Sequence, residues 1–193
     1  MHESQFRTKA AAILKARWPT DYFIEESYIP FGTERISDRR AYPDILRIFP
    51  NGAIGLVEVK KWGSSDLEKW KILGELQFYT FLIETQYKQD CEEYHWMLGL
   101  IKRGLNAQAT VDALENRILN GLPVVCAWAI LIIGGDKEII EESERIWHLH
   151  DYVNNSLEEN ISFRPISILH YSDKPDSDSI YELESWFSRS DSE

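Results

Sequence analysis

Tyr42-Pro43-Asp44-Ile45-Leu46-Arg47-Ile48-Phe49-Pro50-Asn51-Gly52-Ala53-Ile54-Gly55-Leu56-Val57-Glu58-Val59-Lys60 is the stretch on which the fold turns. Two apolar runs, 45–49 and 53–60, flank Pro50-Asn51-Gly52, a strong hairpin signal. Loop length then decides which side chains share a face, because side chains alternate along a strand and a one-residue slip reverses every one of them. A two-residue Asn51-Gly52 turn would put Asp44 opposite Val59, on the wrong side of the sheet from Glu58. A three-residue loop with Gly52 in the left-handed conformation pairs Phe49 with Ala53 and carries Asp44 directly across from Glu58. The three-residue loop is the expectation. Glu58 and Lys60, at i and i+2, leave one face of the strand together, while Val59 points into the core.

Working outward, residues 3–17 form a helical pattern with apolar Phe6, Ala10, Ile13 and Leu14, stopped by Pro19. Residues 22–29 predict a strand, and a polar connection bearing Arg35, Asp38, Arg39 and Arg40 leads to the hairpin. Beyond the hairpin, 66–88 reads as a helix, 94–101 as a strand, 107–119 as a helix and 124–133 as a buried strand opened by Pro123. Residues 137–158 allow an acidic helix, or a shorter helix with a strand around 146–149. Residues 161–170 predict a further strand. The whole is an α/β arrangement, a mixed central sheet flanked by helices with a C-terminal α/β extension. Residues 1–172 make a single domain, with its core at about 3–133, followed by an acidic Ser/Asp-rich tail over 173–193.

The 193 residues carry a net charge of −11, unevenly spread: residues 1–110 hold 15 Lys and Arg against 15 Asp and Glu, and residues 111–193 hold 6 against 17. The acidity lowers the expectation of tight nonspecific DNA binding, which depends on neutralising phosphates. The two cysteines, Cys91 and Cys126, form neither metal-ligand spacing nor a disulfide framework, and Cys126 is expected in the core. No apolar leader opens the sequence, and the longest apolar run, 122–133, is too short for a bilayer's roughly 20 residues. A cytoplasmic protein without membrane contact is therefore expected.

Hydrolysing a phosphodiester with a divalent metal requires carboxylate or carbonyl oxygens that leave coordination positions open, and a cation near the attacking water. Asp44, Glu58 and Lys60 supply that set. Tyr42-Pro43-Asp44, the hairpin, and Gly55-Leu56-Val57-Glu58-Val59-Lys60 resemble the signature of the PD-(D/E)XK, or restriction-endonuclease-like, nuclease superfamily. The resemblance covers the first half of the chain and implies a restriction-endonuclease-like αβββαβ core. It implies that Asp44 and Glu58 bind Mg2+ or Mn2+, with the Val59 carbonyl and Glu3 on the first helix as further ligands, and that Lys60 assists the water. It also implies nucleic acid, DNA before RNA, as partner; separately, a domain of this size often needs a second copy to cut both strands, which makes a homodimer a possible state. RecB- and Cas4-like members carry Gln-x-x-x-Tyr on the following helix; here Glu75 stands where that Gln would be, ahead of Gln77 and Tyr79. Glu75 and Tyr79, at i and i+4, can approach the site together, whereas Gln77 and Tyr79 cannot share a face.

Each feature has a plainer alternative. The three charged residues would also suit an exposed edge hairpin, although Leu56, Val57 and Val59 argue for a strand buried on both faces. Arg39 and Arg40, expected to hold substrate phosphates, would equally suit a solvated loop. Lys61 and Trp62 are substrate contacts or packing. His148, His150 and Asp151 would suggest a metal pair only if strand-borne, and surface histidines are preferred. A catalytically inactive nuclease-fold module that binds nucleic acid or a protein partner is the competing expectation for the chain as a whole.

Overall fold

The computed structural model describes residues 3–25, 29–30, 40–41, 43–64, 71–88, 107–134, 146, 148–152, 154, 164–171 and 180–182. The elements are α1 (Glu3–Arg17), β1 (Tyr22–Glu25), β2 (Ile29–Pro30), β3 (Arg40–Ala41), β4 (Ile45–Ile48), β5 (Ile54–Lys61), α2 (Lys71–Lys88), α3 (Gln108–Leu119), β6 (Val125–Ile133), β7 (Ile166–Tyr171) and β8 (Ile180–Glu182). Six strands form one mixed sheet in the order β1-β4-β5-β6-β7-β8, and β2 and β3 form a separate two-stranded ribbon. The β1–β4 and β4–β5 pairs are antiparallel, the β5–β6 and β6–β7 pairs parallel, and β8 returns antiparallel to β7.

The hairpin decides the geometry of everything near it. Phe49 N–H donates to the Ala53 carbonyl at 2.9 Å, Gly52 N–H donates to the Phe49 carbonyl at 2.9 Å, and Gly52 has φ +80°. This is the three-residue loop with a left-handed glycine that the sequence predicts. Asn51 adds an Asx turn, its Oδ1 accepting from Ala53 N–H at 3.0 Å. The register runs Ile48↔Ile54 to Ile45↔Val57.

Alternation along the strands sorts the core into two layers. Leu46, Ile48, Ile54 and Leu56 meet Ile72, Leu73, Leu76 and Ile83 of α2 and Val111 and Leu114 of α3. Ile45, Val57 and Val59 meet Ala10, Ala11 and Leu14 of α1. Ala127 and Ala129 of β6 share this layer with Ala10 and Ala11. A register shift in the β5–β6 ladder pairs Ile54 with Val125 but Gly55 with Ala127, so Cys126 is the extra residue. That bulge explains why Val125 and Trp128 face α2 and α3 while Ala127 faces α1. Cys126 is in consequence partly exposed and not fully in the core.

Several boundaries differ from the sequence-based expectation. The strand expected over 22–29 ends at Glu25, and Ile29 belongs to the ribbon, opposite Ala41. Residues 146, 148–152 and 154 are helical, so a strand around 146–149 is excluded. Ile180–Glu182, inside the stretch set apart as a tail, forms the edge strand beside β7. The expected strand over 94–101 and residues 66–70 of the expected helix lie outside the described residues, as does Cys91. Among the described residues, β5 is flanked by β4 and β6. No helix among the described residues is long and apolar enough to cross a membrane.

Candidate active site

The register that pairs Ile45 with Val57 places Asp44, one residue further, across from Glu58. The Phe49–Ala53 bond marks 49:53 as a hydrogen-bonded pair, so alternation makes 44:58 a non-hydrogen-bonded one, the kind in which side chains stand closest. The same alternation turns the Val59 N–H and C=O toward the strand carrying residues 43 and 44. The regular β4–β5 ladder has ended there, and the Asp44 side chain takes over: its Oδ2 accepts the Val59 N–H at 2.9 Å. Pro43, facing Val59, has no N–H to give the Val59 carbonyl. The Pro-Asp pair thus fixes one carboxylate and withholds a ladder donor from the neighbouring carbonyl.

Glu58 is 3 % exposed and points into the layer of α2. Its Oε2 accepts a hydrogen bond from Lys60 Nζ at 3.1 Å, and its buried Oε1 has no partner. Burial, then the Asp44 charge, pushes the Glu58 carboxyl up to about 8, against the opposing pull of Lys60. Burial pulls the Lys60 ammonium down, but Glu58, Asp44 and Glu75 outweigh it and hold the group above its ordinary value. Tyr79 on α2 is raised by burial and by the fields of Glu58, Glu75 and Asp44, which keeps its phenol protonated. Glu75 and Tyr79, one helical turn apart, thus both lie within electrostatic range of Glu58. Gln77 is partly buried on the same helix, with its Oε1 unpartnered. Glu75 also pairs with Lys71 at 3.0 Å.

Whether these residues suit a divalent cation depends on the donors they offer. Two carboxylates in cross-strand register, one of them with a buried oxygen that no donor satisfies, form an arrangement whose charge a cation would complete. Among the described residues no group of three or more His, Cys, Asp or Glu side chains surrounds a common point. The donor set therefore fits an ion that keeps much of its water, as Mg2+ does, and not an all-protein cage.

The remaining expected residues divide. Glu3 opens α1, but its side chain lies outside the described residues, as does that of Arg40, whose backbone pairs with Pro30 in the ribbon. Tyr42, Arg35, Asp38 and Arg39 also lie outside them. Val59 is buried against α1, as alternation requires. Lys61 is exposed, and Trp62 packs on the core. His148 and His150 lie on a helical segment, where residues two apart do not face the same way, so the strand a metal pair would need is not there; the preferred surface placement holds for His148 and fails for His150. His150 is buried edge-on to Trp128 and bonded to the Arg164 carbonyl at 2.7 Å.

One site residue escaped the sequence reasoning. Arg7 of α1 brings NH1 to 3.8 Å from Asp44 Oδ1. It lies one turn beyond Glu3, so the argument that turns Glu3 toward the site turns Arg7 there too. Comparison with protein-family models, with curated proteins and with solved structures finds no match to this chain.

Proposed function

We propose that the chain is a divalent-metal-dependent nuclease of the PD-(D/E)XK type, hydrolysing phosphodiester bonds, in DNA before RNA, by attack of water on phosphorus. The observation that supports it best is the pairing of Asp44 with Glu58 across the hairpin, beside a Lys60 bonded to one Glu58 oxygen while the other has no partner. In this reading Asp44 and Glu58 hold Mg2+ or Mn2+, with the Val59 carbonyl as a further ligand and Glu3 as a candidate to complete the set. The bound ion would supply Lewis-acid activation of the water and neutralise charge on the phosphate. Lys60, kept protonated by Glu58, orients the water and stabilises charge that develops on the nonbridging oxygens. Glu75 and Tyr79, on the same side of the sheet, position substrate; a protonated Tyr79 can donate to a phosphate oxygen.

One observation favours the second reading, a nuclease-fold module that binds without cutting. Each carboxylate already has a cation nearby, Lys60 at Glu58 and Arg7 at Asp44, so the site is partly neutralised without a metal. Lys60→Met separates the two. A nuclease retains Mn2+ binding in this variant but loses cleavage by at least about a hundredfold. A binding module shows no metal-dependent cleavage in either protein and unchanged nucleic-acid affinity.

A further inference from the structure

A cavity stands at the end of the sheet away from the candidate active site, and its lining combines apolar walls with one ion pair. Its volume is about 180 Å3. Pockets that take drug-sized ligands run to roughly 300–1,000 Å3, so this one suits a single ring system. Ile118 of α3 and Leu122, Pro123 and Val124 of the connection into β6 form the walls; Glu84 of α2 and Arg164, ahead of β7, form the polar end. Ile54 N–H donates to the Val124 carbonyl at 2.8 Å. Four residues of β5, about 13 Å of strand, separate Ile54 from Glu58. The cavity is thus distinct from the site of Asp44, Glu58 and Lys60.

Its walls are set before any ligand arrives. Leu122 N–H donates to the Arg117 carbonyl at 2.9 Å and Gly121 N–H to the Ile118 carbonyl at 3.0 Å. The Arg117 guanidinium donates to the Pro123 carbonyl at 3.2 and 3.0 Å. These bonds hold Leu122 at the mouth, 49 % exposed. Arg164 is fixed through its backbone, where its carbonyl is bonded to His150 Nε2 at 2.7 Å and the next carbonyl, of Pro165, accepts Trp128 N–H at 2.8 Å. A preformed wall spares a ligand the cost of ordering it.

The ion pair sets the chemistry of the ligand. Arg164 meets Glu84 through one nitrogen, Nη2, which donates to both carboxylate oxygens at 2.7 and 2.8 Å. Its Nε is buried with no partner among the described residues, so Glu84 does not close the guanidinium fork. The side chains of Arg164 and Glu84 are 25 % and 19 % exposed, so the pair is open to the cavity. Its charges cancel, and an ionic ligand would bring a charge that nothing there compensates. A guanidinium has more N–H donors, and a carboxylate more acceptor positions, than the pair uses on itself. The complement is a neutral group that offers an acceptor to Arg164 and a donor to Glu84 together, which is the edge of an amide.

We propose that this cavity binds a small neutral ring compound with an amide edge, an N–H beside a C=O, as nucleobases and lactams carry. The ring lies among Ile118, Leu122 and Val124, and its edge faces the Arg164–Glu84 pair. This binding site does not depend on the nuclease reading.

Amide NMR titrations with uracil, benzoate and benzamidine, rings of similar size that are neutral, anionic and cationic, test it. Uracil should shift the amides of Ile118, Gly121, Leu122 and Val124 saturably, with a dissociation constant of roughly millimolar or tighter. Benzoate and benzamidine should bind at least about tenfold more weakly. Leu122→Trp fills the cavity from its exposed mouth and should abolish the uracil shifts. Glu84→Gln leaves Arg164 uncompensated and should turn the preference toward benzoate. A uridine trinucleotide identifies the source of the ring: tighter binding than uracil marks a base within a strand, equal or weaker binding a free base. Four results overturn the proposal: no saturable uracil shift up to about 20 mM, the same shifts in Leu122→Trp, a wild-type preference for either ion, or an unchanged preference in Glu84→Gln.

Discussion

Replacing Gly52 with alanine perturbs the turn that brings Asp44 to Glu58. Two costs arise, and they separate. Gly52 has φ +80°, where an L-residue pays about 1–2 kcal/mol. A Cβ at this position would also stand 2.2 Å from Leu114 N, 2.5 Å from Ala113 C and 2.6 Å from Leu114 Cα, all backbone of α3. No rotamer change relieves such overlap, so the turn or the helix must shift by about 1 Å, a strain of overpacking worth a further 1–3 kcal/mol or so. The expected total is about 2–5 kcal/mol, a large part of the roughly 5–15 kcal/mol by which such domains are stable. In urea unfolding the midpoint should fall by about 1–2 M. Gly121 provides the control: its φ is +67° and a Cβ there meets nothing within 4 Å, so Gly121→Ala carries the conformational cost alone. Equal losses for the two variants would refute the account of how α3 closes on the hairpin.

Metal-free protein should lose stability as pH rises, because Glu58 ionises near 8 when folded against an ordinary 4.5. Its contribution is full below 4.5 and is lost as pH climbs through 8, by at most about 5 kcal/mol. Urea midpoints in chelator should show this slope for wild type and a flatter one for Glu58→Gln; parallel profiles would contradict it. His150 predicts a separate acid limb. Burial lowers its folded pKa against the opposing pulls of the Arg164 carbonyl and Asp151, so its contribution is present above 6.5 and is lost as pH falls below that value. His150→Gln should remove that limb from the unfolding profile, and an unchanged acid limb would assign it to other groups.

Much of the site was legible because a hairpin is a local device. Asn51-Gly52 between apolar runs, with strict alternation on either side, leaves few registers, and only one of those considered puts Asp44 and Glu58 on one face. The spacing of Glu75 and Tyr79 was legible for the same reason on a helix. What sequence could not supply was nonlocal. Nothing near Cys126 announces the bulge that changes the phase of β6, because the bulge exists only relative to β5. The strand at 180–182 is short and set among Ser and Asp, and it acquires its structure from pairing with β7. The strand expected at 22–29 looked continuous in propensity, yet Ile29 leaves the sheet for the ribbon. Arg7 is not legible from the motif, which specifies only an acidic residue on the first helix; its approach to Asp44 depends on how α1 packs on the sheet.

The most direct test of the central claim is cleavage of covalently closed circular DNA by the purified chain. The account predicts nicking or linearisation by wild type in Mg2+ or Mn2+, none in chelator, and none by Asp44→Ala at any metal concentration. Wild-type protein that neither binds Mn2+ nor cuts circular, linear or single-stranded DNA or RNA, or an Asp44→Ala variant that cuts as wild type does, would contradict it.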